Sequence, residues 1–152
     1  MKHTLAGLSL VLTLFAGLSM SQEAPPPDPR PLHALMVDLS QDMNRIHEGI
    51  WREDFRMIRT GARRIADHPK IMPEQMAVIK QALGEAFGTF VGYDRLVHDT
   101  ADSIATLAGS ADPRLQRILT LEGQLQQGCV SCHAAYRTRV RAALDEADLE
   151  MR

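Results

Sequence analysis

Between Leu32 and Ile50 the apolar positions fall at Leu32, Met36, Leu39, Met43, Ile46 and Ile50, in steps of four and three. That spacing puts them on one stripe of an α-helix. A second stripe, Phe55, Ile58, Ala62 and Ile65, stops where Pro69 and Pro73 forbid continuation. The turn expected near Gly49 to Glu53 makes this first pair of helices antiparallel.

Pro73 suits the first position of a third helix. Met76, Ile79, Leu83, Phe87, Phe90, Val97 and Ile104 then keep one face for about eight turns, and the helix is expected to end at Gly109. Its stripe thins in the second half, where it skips Asp94 and Ala101. Asp112-Pro113 reads as an N-cap acid followed by a first-turn Pro, and Leu115, Ile118, Leu121 and Leu125 continue into a fourth helix. No segment sustains the period-two alternation of a strand, and no Gly-rich phosphate loop is present. Four such helices on short connections predict an all-α protein, an up-and-down antiparallel four-helix bundle.

The start of the chain has a different pattern. Met1-Lys2-His3 is basic, and Leu5 to Met20 is an apolar run broken by Gly7, Ser9, Gly17 and Ser19. This is the layout of a secretory signal peptide over residues 1–21, with cleavage before Gln22. The run is short and interrupted for a bilayer span, so cleavage is expected and with it the loss of any membrane span, the alternative being a segment retained as an anchor. Residues 22–31 hold five prolines (Pro25, Pro26, Pro27, Pro29 and Pro31), which predicts an extended linker, with the folded domain over 32–152.

Composition narrows the picture further. With 45% hydrophobic and 24% charged residues the chain has the makeup of one globular core. Residues 1–21 carry one Lys and no acid, so without them the formal charge moves from −2 to −3, and nothing suggests a nucleic-acid partner.

Two cysteines in an exported chain ordinarily form a disulfide. Here, however, they stand in the pentapeptide Cys129-Val130-Ser131-Cys132-His133. On a helix, positions i, i+3 and i+4 place two thiols one turn apart beside an imidazole, which is what a haem joined by two thioethers and ligated from the same side requires. A thioredoxin-like pair lacks the βαβ pattern it would need, and a zinc site lacks a second Cys/His pair close by.

The run Cys129-Val-Ser-Cys132-His133-Ala-Ala-Tyr136-Arg137, late in a helical chain, resembles the signature of the cytochrome c prime family, the class II c-type cytochromes. The resemblance covers the mature chain in architecture, with strong residue identity only around the motif. It implies one covalently attached haem c, thioether bonds from Cys129 and Cys132, and His133 as the proximal iron ligand. It also implies haem contacts for Tyr136 and Arg137. On their own chemistry these two read as core packing and a solvated charge. Phe87, Phe90 and Tyr93 read first as packing residues. His47, His68 and His98 read as surface or capping histidines, with His68 at a helix C-terminus.

Function turns on the position opposite His133: a Met or His there gives a closed site suited to electron transfer, and a vacancy gives a site for small gases. Met36 lies on the stripe of the first helix, where core filling is the default role of a methionine. Met36-x-x-Leu39-x-x-x-Met43-x-x-Ile46, together with His133-x-x-Tyr136-Arg137, resembles the soluble four-helix b-type cytochrome of bacteria. That resemblance implies Met36 as sixth ligand. His33, one turn earlier, is the rival, because an ungapped alignment of Met43, Gly49 and Asp54 to five-coordinate cytochromes c prime puts His33 over the iron.

The expectation that follows is an exported, periplasmic mono-haem electron carrier rather than an enzyme, serving redox partner proteins of the cell envelope. The alternatives are a five-coordinate protein binding NO or CO, and a haem-free helical module with a redox-active cysteine pair. Pairing Met36 with His133 makes the last helix overhang the first by roughly 15 to 20 Å at ~1.5 Å per residue. Val140, Leu144, Ala147 and Met151 then need cover, for which the Pro25 to Pro31 linker or a second copy of the chain is expected, and the resemblance allows a homodimer.

Overall fold

The computed structural model describes residues 27–150, so the proposed signal peptide, Pro25, Pro26 and Met151 lie outside the described residues. The protein is all-α. Its elements are α1 (Leu32–Trp51), α2 (Phe55–Ala66), α3 (Pro73–Leu83), a 3-10 turn (Gly84–Ala86), α4 (Phe87–Ala108) and α5 (Leu115–Glu150). Among the described residues no helix is long and apolar enough to cross a membrane.

α1 begins behind Pro31 with no cap from its own sequence, and its first amide, Leu32 N–H, donates instead to Gln75 Oε1 on α3 at 2.7 Å. α2 is capped locally: Asp54 accepts from Met57 N–H at 2.9 Å, satisfying one of the amides that a helix start leaves open. α1 runs on to Trp51, three residues into the expected turn, so Gly49 is helical. Its hydrogen atom is what the packing needs. A Cβ there would stand 2.8 Å from Ile58 Cγ1, and one on Gly61 would stand 2.8 Å from the Asp42 carbonyl. The two glycines let α1 and α2 approach closely.

The buried face of α1 is rotated from the predicted stripe. Leu35, Asp42, Ile46, Gly49 and Ile50 are buried, whereas Met36 is only half-buried. Apolar periodicity alone could not find Asp42, a residue 2% exposed whose carboxylate accepts from Arg64 and Arg45.

The third predicted helix is not continuous. Gly84 takes φ 53°, a left-handed value that costs glycine nothing, and the chain passes through one 3-10 turn before α4 begins. The break turns α3 away from the axis of α4 and onto α5, where Ile79, Leu83 and Phe87 meet Val140 and Leu144. α3, with Leu32 and Ile71, therefore covers Val140 and Leu144, the first half of the late stripe of α5. The linker's last residues have another partner: Arg30 pairs with the α2–α3 connection, donating to Lys70 O and accepting from Met72 N–H. α5 begins at Leu115, two residues after Pro113, because Arg114 supplies the first helical carbonyl, which accepts from Ile118 N–H at 3.1 Å.

α1 packs on α2, α2 on α4, and α4 on α5, while α1 and α5 touch at few points. The apolar interior forms two clusters. The larger gathers Ile46, Ile58, Ile65, Ile104, Ile118 and Leu125, and the smaller is built on Ile79, Leu83 and Val140.

Candidate functional site

The boundary between the two clusters falls at the same interval on three helices. On α1 Leu32 packs in the smaller cluster and Leu39 in the larger; on α4 Phe90 and Val97 divide in the same way, and on α5 Tyr136 and Cys129 do so. Each pair is seven residues apart, about two turns. The residues left between them are Leu35 and Met36 on α1, Tyr93 and Asp94 on α4, and Cys132 and His133 on α5. The cysteine motif thus sits at the boundary between the two clusters.

α5 carries Cys129, Cys132, His133 and Tyr136 at helical spacing. Both thiols are free and half-buried, so no disulfide occupies them. Burial pushes both thiol pKa values up, and for Cys132 the neighbouring Cys129 and Asp94 push in the same direction. Tyr136 is half-buried with its ring edge-on to Phe90 at 5.7 Å and to Tyr93 at 6.1 Å, while Arg137 and His133 are exposed.

Of the two candidates on α1, His33 is exposed and Met36 half-buried. Among the described residues Met36 packs against neither cluster, and Leu35, at 1% exposure, is the buried side chain at this level.

His68, Asp94 and His98 come together where the end of α2 meets α4, with Asp94 near enough to Cys132 to act on its thiol. His68, just past α2, is mostly buried, and His98 on α4 is half-buried, so neither is a surface residue. Their rings stand 4.3 Å apart. His98 Nδ1 bonds the Ala66 carbonyl at the end of α2, and His68 Nδ1 bonds the Pro69 carbonyl at 2.7 Å. The α2 C-terminus is therefore capped by His98 rather than by His68. Each Nε2 lies 3.7 Å from a different oxygen of Asp94. Burial lowers the His68 pKa, but the Asp94 carboxylate and the Pro69 carbonyl outweigh it and leave a net rise. Asp94 is lowered, chiefly by its contact with His68. Asp94 and His98 are one helical turn apart in sequence, a signal that was legible; His68 joins them only through the packing of α2 on α4.

The chain matches no protein-family model, no curated protein and no solved structure.

Proposed function

We propose that this chain is an exported mono-haem c-type cytochrome that transfers electrons in the periplasm, built as an up-and-down antiparallel four-helix bundle. Cys129 and Cys132 hold the haem by thioethers, His133 is its proximal iron ligand, Met36 closes the sixth position, and Tyr136 and Arg137 stand beside it. One observation carries the reading: two free thiols and an imidazole at i, i+3 and i+4 sit at the level where three helices pass from one apolar cluster to the other. α1 and α5, the helices that carry the proposed iron ligands, make few contacts with each other. The order of the clusters along the chain supports the bundle, since α1 and α4 cross from the smaller to the larger while α5 crosses the other way.

The bound haem supplies the one-electron couple, and a thioether ligand favours its ferrous state. The protein residues hold and orient it, with Tyr136 fixed by Phe90 and Tyr93. On this reading the chain has no substrate chemistry, and its partners are redox proteins of the cell envelope or a second copy of itself. Expression with a cytochrome c maturation system should give a haem-staining band on a denaturing gel. Cys129→Ala/Cys132→Ala should abolish it, and an unstained wild-type band would overturn the reading.

A second reading, a five-coordinate protein binding NO or CO, is favoured by the burial of Leu35 ahead of Met36, which puts an apolar side chain at the level of the motif. Immediate CO binding by the ferrous wild-type protein is its signature.

A further inference from the structure

We propose that His68, Asp94 and His98 form a binding site for a divalent transition-metal ion of the zinc type, separate from the cysteine motif. A backbone carbonyl can only accept, so the ring nitrogens facing Ala66 O and Pro69 O must be the protonated ones. In the neutral rings that fixes the tautomer and leaves both Nε2 atoms with free lone pairs directed at one carboxylate. This is the arrangement by which metal-binding histidines are held, the second nitrogen being anchored by a carbonyl.

The spacing fits an ion better than it fits hydrogen bonds. The 3.7 Å from each Nε2 to Asp94 is too long for a hydrogen bond, and the three ligand atoms lie within 4.8 Å of one another. Ligands about 2.1 Å from one tetrahedral ion stand roughly 3.4 Å apart, so small side-chain shifts would close the set. Two imidazoles and one carboxylate suit zinc and its neighbours rather than calcium or magnesium, and three protein ligands leave a fourth position for solvent. Asp94 keeps about half of its side-chain surface exposed, which gives the ion a path in, while His68 closes the site from the protein side. The site ties the end of α2 to the middle of α4, so an ion there would brace two helices that already pack together.

Equilibrium dialysis of the purified full chain against Zn²⁺ tests this, with Cys129→Ala/Cys132→Ala run in parallel to remove the thiols as competing ligands. One equivalent should bind in the micromolar range in both chains. Asp94→Asn and His98→Gln should each weaken binding about ten-fold or more. If either substitution unfolds the chain, the thiol-free protein still decides the matter, because its melting temperature should rise with Zn²⁺ and fall back with EDTA. Zinc bound by the wild type but lost with the cysteines, no thermal shift in the thiol-free chain, or unchanged affinity in folded Asp94→Asn and His98→Gln would each overturn the site.

Discussion

Arg64 on α2 donates its Nε hydrogen to the buried carboxylate of Asp42 on α1, at 2.8 Å from one oxygen and 3.0 Å from the other. The two ends of this pair are unequal, since the Asp42 side chain is 3% exposed and that of Arg64 57%. Removing the carboxylate leaves a guanidinium that water can solvate, whereas removing the guanidinium leaves a buried charge with only Arg45 beside it. Arg64→Met should therefore destabilise the protein by about 3 kcal/mol and Asp42→Asn by about 1 kcal/mol. Urea unfolding of the two variants checks the order, and a larger loss for Asp42→Asn would contradict it.

The His68–Asp94 contact makes stability depend on pH in a defined direction. His68 is raised above 6.5 in the folded state, so its contribution is full below 6.5 and is lost as pH rises through the folded value. Asp94 is lowered below 3.8, so its contribution is full above 3.8 and is lost as pH falls through the folded value. The pair should add most between about pH 4 and 6.5. His98, whose Nε2 also faces Asp94, and Cys132, which feels its charge, share the surroundings. With EDTA present to exclude metals, the melting temperature should be higher at pH 6 than at pH 8, and Asp94→Asn should flatten that difference.

The end of α5 should matter through α3. Val140 is 5% exposed and packs with Ile79 and Leu83, while Leu144 covers the same cluster. Truncation after Ala142 removes Leu144 and uncovers that cluster. It should lower thermal stability and speed amide exchange in α3, leaving α1 and α2 protected. Val140→Ala should cost about 2 kcal/mol, the range of a buried aliphatic truncation. Hydrogen exchange resolved by segment separates this local effect from global loss; uniform deprotection would show that the cluster does not behave as its own unit.

How much of this was legible in the sequence depended on whether the signal was local. Helix existence followed from apolar periodicity, and the placement of Cys129, Cys132 and His133 together on one helix followed from adjacency in the chain. The break at Gly84 escaped because Leu83 and Phe87 stay on a helical stripe, while the positive φ that separates α3 from α4 serves packing against α5, a tertiary demand. Asp42 escaped for a related reason: its partner Arg64 lies on another helix, and a lone acid on an apolar face reads as a gap in the stripe. The same limit hid the histidine cluster, because His68 and His98 read as isolated polar residues until α2 and α4 pack.

If the chain carries the proposed haem, the geometry of α1 bears directly on which residue would be its sixth ligand. Leu35 and Met36 are successive residues on α1, so they point about 100° apart, and a single helix orientation cannot place both equally over one iron. With Leu35 buried and Met36 half-buried, ligation by Met36 requires α1 to rotate toward α5 as the haem is loaded. If it does, the haem-loaded wild type should be low-spin and slow to bind CO. Met36→Ala should then turn it high-spin and CO-reactive, and Leu35→Ala should change stability by about 2 to 5 kcal/mol with little spectral effect. If α1 keeps its present orientation, the wild type should bind CO at once, Met36→Ala should leave the spectrum unchanged, and Leu35→Ala should alter CO affinity by opening the space above the iron. His33→Ala serves as the third arm: its exposed side chain should be silent in both cases, and a spin-state change there would move the ligand one turn toward the start of α1.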